Sequence, residues 1–313
     1  MSDDNNYNSP FQTWYEVAGV RAGERRMLGS EYELADIYYP PELAPVTNHP
    51  FVIKLGSEVR RRLLIRHLYI YLDAIERLEH EIVNTVVYKI ARNKLLPDIP
   101  VSMRMDAYKI YTDEAYHMLY SADLLEQIKT LTGIEPILAP PSFSLYVNKI
   151  SQELGGNYLE LIITLLSVVT ETMISSILLE IPKDKRVVET VRNLIRDHAE
   201  DEGRHSKFFS MLFERYWPKL TVQERRIMGP LLPKLIVNFT RPNLAAITKV
   251  LMAEDLNEDT ARGIVEECYT ESSIEKSAAN AAQVSVSLFN RFGVMKDSKT
   301  KDEFLRTGLW NPK

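Results

Sequence analysis

Two segments share the pattern D-E-x-x-H: Asp113-Glu114-Ala115-Tyr116-His117 and Asp201-Glu202-Gly203-Arg204-His205. In a helix, residues three apart leave the same face, so each Glu and its His point in one direction. A carboxylate can bridge two metal ions while an imidazole binds one of them. Two such helices, with one further Glu from each of two others, build a di-metal carboxylate site inside a four-helix bundle. The chain supplies these parts in order as Glu79, Glu114 with His117, Glu171, and Glu202 with His205. His198 stands one turn before Glu202 on the same face, giving four carboxylates and three imidazoles. Mixed N/O ligation of this kind suits iron, with manganese as the lesser alternative.

Each of these residues interrupts a stripe that should be apolar. Before Asp197–His205 the stripe runs through Val187, Val191, Leu194 and Ile195, and after it through Phe208, Phe209 and Leu212. Extended through the gap at helical period, it passes positions 198, 202 and 205. Burying one such polar group unpaired is costly, and a cation satisfies several together. An isolated E-x-x-H is common by chance, and a lone Glu such as Glu79 is most often solvated. Two copies that each fill an apolar stripe, interleaved with Glu79 and Glu171, are not explained that way. Asp113 and Asp201 fit acceptors for the free N–H of a liganding imidazole; the competing reading is an exposed helix acid. His49, His67 and His80 lack comparable context.

The elements that must position these groups are helices. Residues 57–92 carry Leu64, Leu68, Leu72, Ile75, Ile82, Val83, Val86 and Ile90 on one stripe, with Glu79 inside it, and so long a segment allows a kink or break. Residues 103–129 form a second helix, 145–179 a third, interrupted at Gly155-Gly156 and ended by Pro182, and 185–216 a fourth. Thr221 to Glu224 reads as a capping box, and Asn243 and Asn257 suggest further helix starts. A last helix is expected over 273–292, and Phe304–Lys313 as loop. No strand alternation is visible. The expected fold is all-α: a ferritin-like four-helix bundle with additional C-terminal helices. Residues 1–54, broken by Pro40, Pro41, Pro45 and Pro50, form an irregular arm packing on the bundle, with the first few residues disordered, and 55–313 a single domain.

The 313 residues are 45% hydrophobic with net charge −5, which allows a sizeable core and gives no electrostatic case for nucleic acid. Arg60-Arg61-Arg62 reads as a solvated helix face. The single cysteine, Cys268, rules out an internal disulfide and fits a reducing compartment. No apolar run follows the polar N-terminus, so no signal peptide is read and a cytoplasmic location is expected. Leu161–Leu179 is long enough to span a bilayer, with 19 residues and one charge, Glu171. A central acid costs roughly 2.5–3.5 kcal/mol on insertion into lipid, and six Ser and Thr residues accompany it. A helix buried on all sides of a bundle is the better reading.

The full pattern, E-x34-E-x2-H-x53-E-x26-H-x3-E-x2-H, resembles that of the p-aminobenzoate N-oxygenase (arylamine oxygenase) family of ferritin-like di-iron proteins. His198 falls at that family's third histidine, and Tyr39-Pro40-Pro41-Glu42-Leu43-Ala44-Pro45 with Asn48-His49-Pro50 is similar to its N-terminal arm. The resemblance implies a homodimer in specialised metabolism that uses two iron ions and O2 to oxidise an amine nitrogen to hydroxylamine, nitroso or nitro. It implies all seven residues as ligands. No cationic anchor for an aromatic carboxylate is matched, which opens amino-acid-derived or carrier-protein-tethered aminoacyl amines beside aromatic ones. No flavin or ferredoxin motif is evident, so a separate electron-donor protein is expected. The alternatives are a di-iron C–H or aldehyde oxygenase, a radical subunit, or a non-enzymatic ferritin-like iron protein.

Overall fold

The computed structural model describes residues 7–29 and 37–311, with the backbone alone at 175 and 176. The expectation of disorder in the first few residues falls outside this range. The fold is all-α and ferritin-like. Among the described residues there is no strand, only an isolated bridge between Ile37 and Val187.

Four long helical segments make the bundle. The first is α1 (Ser57–Arg77), a π-helical turn (Leu78–Val83) and α2 (Asn84–Ala91). The others are α3 (Val101–Thr132), α5 (Leu159–Leu178) and α6 (Glu189–Tyr216). A separate α4 (Ser142–Glu153) precedes α5. The break between α4 and α5 falls at Gly155 and Gly156, whose φ of +69° and +78° suit glycine best. The break in the first segment takes the form of the π turn, which carries Glu79. Such a turn accommodates one extra residue, so Leu78 and Glu79, then Ile82 and Val83, are all buried.

α5 is buried nearly all round. Its apolar packing comes from Ile162, Leu165, Leu166, Val168 and Val169, each fully buried, and each such side chain contributes about 1.5–3 kcal/mol. Its hydroxyls survive burial by bonding back along the helix. Thr164 donates to the Glu160 carbonyl at 2.8 Å, Ser167 to Thr164 at 2.8 Å and Thr172 to Val168 at 2.6 Å. No helix among the described residues is long and apolar enough to cross a membrane.

The C-terminal third wraps the bundle with α7 (Val222–Met228), α8 (Leu232–Thr240), α9 (Leu244–Met252), α10 (Glu258–Cys268), α11 (Glu271–Ala281), α12 (Gln283–Arg291) and α13 (Ser298–Arg306). The Thr221 capping box and the Asn243 and Asn257 caps are present.

Several local expectations are corrected. The helix over 273–292 is two, α11 and α12, parted at Ala282. Phe304 lies in α13 and is fully buried, because the Asp297 side chain caps a helix with only Thr300 and Phe304 facing inward. Pro182 does not end α5, which stops at Leu178; it sits in a short helical turn, Glu180–Lys183. The arginine run is not a solvated face. Arg60 donates to the Thr47 carbonyl at 2.9 Å, Arg61 lies over the Tyr38 ring, and Arg62 joins Arg66 on buried Glu254.

Candidate metal centre

α3 and α6 bring the two D-E-x-x-H segments face to face, and the π turn and α5 add Glu79 and Glu171. All seven predicted residues are at most 3% exposed. They form two groups, each with one candidate ligand atom per residue and all those atoms within 4.8 Å of one another. One group is Glu79, Glu114, His117, His198 and Glu202; the other is Glu114, Glu171, Glu202 and His205. Glu114 and Glu202 belong to both. Two ligand sets sharing two carboxylates is the arrangement a dinuclear site requires. The sets are unequal: the first holds two imidazoles, whose rings lie 4.0 Å apart, and the second holds one.

The distances define which atoms face the centre. His198 Nε2 lies 3.2 Å from Glu79 and 3.1 Å from Glu202. His117 Nδ1 is 3.0 Å from Glu114, and His205 Nδ1 is 3.1 Å from Glu114 and 3.4 Å from Glu202. His117 and His205 therefore present Nδ1 inward, whereas His198 presents Nε2.

Their outward Nε2 atoms meet the two aspartates, and the pairing crosses between helices. His117 of α3 is 3.2 Å from Asp201 of α6, and His205 of α6 is 3.2 Å from Asp113 of α3. Both aspartates are buried, so the exposed-acid reading does not hold. Each is met in turn by the N-terminal arm. The Trp14 indole N–H donates to Asp113 at 2.8 Å, and the Gly19 backbone N–H donates to Asp201 at 3.2 Å. Arg204 also pairs with Asp201. A Cβ at Gly19 would stand 2.7 Å from Asp201 Oδ2, so any side chain there would push the Asp201 carboxylate aside. Phe11 stacks on His205 with ring centroids 5.9 Å apart. Arg25 and Arg26 then pair with Asp123 of α3 and Asp197 of α6, tying the arm across the seam between the two helices.

The cluster is chemically suited to a cation. Burial and neighbouring carboxylates hold Glu171 well above the usual carboxylate range, and burial does the same to Glu79. Burial would also raise Glu202, but the charges of His205 and His198 outweigh it and hold its carboxyl well below that range. For His117, burial is outweighed by hydrogen bonds to Asp201 and Glu114, and its pKa is raised to about 9. The protein on its own thus balances the cluster with protons that a metal would displace. Buried carboxylate oxygens remain without a hydrogen-bond partner at Glu79 Oε2, Glu171 Oε2 and Glu202 Oε2. Three orphaned oxygens around one point fit a metal centre.

The chain matches the family model described as p-aminobenzoate N-oxygenase AurF over residues 30–293. It belongs to that oxygenase family. A comparison with curated proteins finds no match. The segment that carries Trp14 and Gly19 precedes the matched region.

Several neighbours of the site escaped the sequence reading. Trp14 and Gly19 lie 99 and 182 residues from the aspartates they meet, and no local pattern announces such contacts. Tyr120 was legible, being three residues after His117 on the same face; its ring centroid lies 5.4 Å from that of His117. His67 and Tyr71 share a stripe with Glu79, at helical steps through Ile75, but nothing in that spacing marks them as functional. They line a cavity of about 690 Å³ whose wall includes Ile75, Leu78 and Ile174, neighbours of Glu79 and Glu171 along their helices, although none of the seven clustered residues lines it.

Proposed function

We propose that this protein is a non-haem di-iron oxygenase that uses O2 to oxidise an amine nitrogen in specialised-metabolite biosynthesis. The observation that carries the reading is the pair of buried ligand sets sharing Glu114 and Glu202, with His198 in the richer set, in a member of an N-oxygenase family. Glu79, His117 and His198 would hold one iron, Glu171 and His205 the other, with Glu114 and Glu202 common to both. Iron bound there supplies the redox chemistry that activates O2 for oxygen transfer to nitrogen.

The protein's own contribution is placement and exclusion of water. Asp113 and Asp201 accept from the Nε2 side of His205 and His117, which leaves each Nδ1 lone pair aimed at the centre. Ile75, Leu78 and Ile174 give the inner end of the cavity an apolar lining, which favours a neutral amine over its ammonium form. The substrate is an aromatic amine or an amino-acid-derived one, free or carrier-tethered. A separate protein supplies electrons, and a cytoplasmic homodimer is the working assembly.

The test is a single-turnover reaction of iron-loaded protein with isotopically labelled O2 and a panel of amines. The expected product carries the label on nitrogen. Labelled oxygen on carbon, or no product from fully loaded protein across the panel, would refute the reading.

A further inference from the structure

The cavity contains an unused recognition group far from the metal-facing residues. His67 is 6% exposed, and its Nδ1 lies 2.7 Å from the Leu63 carbonyl. A carbonyl can only accept, so Nδ1 carries the proton and Nε2, across the ring, holds a lone pair. That Nε2 is buried and has no hydrogen-bond partner. Burial keeps the ring neutral by lowering its pKa to about 4. A buried acceptor left unmatched in a cavity wall is costly, and a ligand that donates to it removes the cost.

The rest of the lining narrows the ligand. Arg241, at the wall formed with Pro242 and Asn243, is held by both oxygens of Glu271 at 2.7 Å. Glu180 is paired with Lys183 at 2.7 Å. Among the described lining residues no charge is left to meet a substrate carboxylate. The helix also sets a length. His67 precedes Glu79 by twelve residues, roughly 18 Å along the axis at about 1.5 Å per residue. A one- or two-ring amine with its nitrogen at the metal end does not reach His67, whereas a three-ring or side-chain-extended amine does. The volume, about 690 Å³, is in the range of sites for such larger ligands.

We propose that His67 is the distal specificity residue of this cavity, accepting through Nε2 a hydrogen bond from a hydroxyl or amide N–H at the far end of an extended, uncharged amine. This rests on the reading of the cavity as the substrate site of an amine oxygenase.

Three probes share one skeleton: 4″-hydroxy-p-terphenyl-4-amine, its methyl ether, and the corresponding 4″-carboxylate. Binding is measured anaerobically to the iron-loaded protein, and turnover afterwards with O2 and reductant. The wild type is expected to bind the phenol about tenfold or more tightly than the ether, and the carboxylate most weakly. His67→Leu should bring phenol and ether within about twofold, and His67→Gln, which keeps an acceptor, should restore a preference. The change should fall on KM and leave kcat nearly unaltered. Equal binding of phenol and ether by the wild type, or tightest binding of the carboxylate, would overturn the proposal even if His67→Leu failed to fold. A preference that survives in folded, iron-loaded His67→Leu would do the same. A phenol preference without any amine oxidation would sink the oxygenase reading and leave His67 standing; oxidation without a preference would do the reverse.

Discussion

The metal-facing cluster has two unlike sides. On the side covered by the N-terminal arm, the two aspartates behind the imidazoles are matched: Asp113 meets His205 and Trp14, and Asp201 meets His117, Gly19 and Arg204, although Tyr120 and Arg204 each keep one buried atom without a partner. On the cavity side no carboxylate is held by such a network. Glu79, Glu171, Tyr71 and His67 each retain a buried atom without a partner. Matched buried networks fix geometry, and unmatched groups cost stability unless something binds them. The arm side therefore holds the imidazoles in place, and the cavity side is left for ligands. The same helices serve both sides, so the difference lies in what packs on their backs.

This contrast can be broken in order of expected severity. Glu202→Ala removes a carboxylate common to both ligand sets and should abolish dinuclear iron binding and turnover, whereas Glu171→Ala, which touches one set, should leave a single iron per chain by metal analysis. His198→Ala should weaken iron binding in the richer set and alter the site's absorption spectrum; an unchanged spectrum and rate would remove it from the site. Asp113→Asn or Asp201→Asn should lower iron affinity by ~10–100-fold, read by competition with a chelator. Trp14→Phe leaves the buried Asp113 carboxylate without one donor. It should lower unfolding free energy by about 1–3 kcal/mol in urea titrations, and Gly19→Ala should act on Asp201 by displacement.

The smallest effect concerns the cavity side. His67 has its pKa lowered from 6.5 to about 4 by burial. Below pH 6.5 the unfolded chain takes up a proton that the folded one refuses, so stability falls as pH drops from 6.5 towards 4 and is fully present above 6.5. The contribution is at most about 3 kcal/mol, and His67→Leu should flatten that part of the metal-free protein's stability curve. A slope unchanged by the substitution would mean that His67 is not held neutral.

Much of this was legible in the sequence alone. The four long helices and all seven clustered residues follow from one rule, that polar ligand types at stripe positions face a core. Glu79 was placed by its stripe, although the π turn that carries it was foreseen only as a kink or break. The arm was recognisable as proline-broken and aromatic, but its role was not. Trp14 and Gly19 act through contacts spanning 99 and 182 residues, and tertiary hydrogen bonds of that reach leave no period in a sequence. His67 was set aside because it lacks the ligand-type neighbours that surround the D-E-x-x-H histidines. Only the cavity beside it, and the missing partner on Nε2, give it meaning. α13 was missed because two inward residues, Thr300 and Phe304, make too short a stripe to read.

The most direct test of the central claim is an anaerobic titration of metal-free protein with ferrous iron, followed by absorption and by bound metal per chain. Two ligand sets sharing Glu114 and Glu202 predict saturation at about two irons per chain. Saturation at one, or no binding by folded protein, would contradict the account.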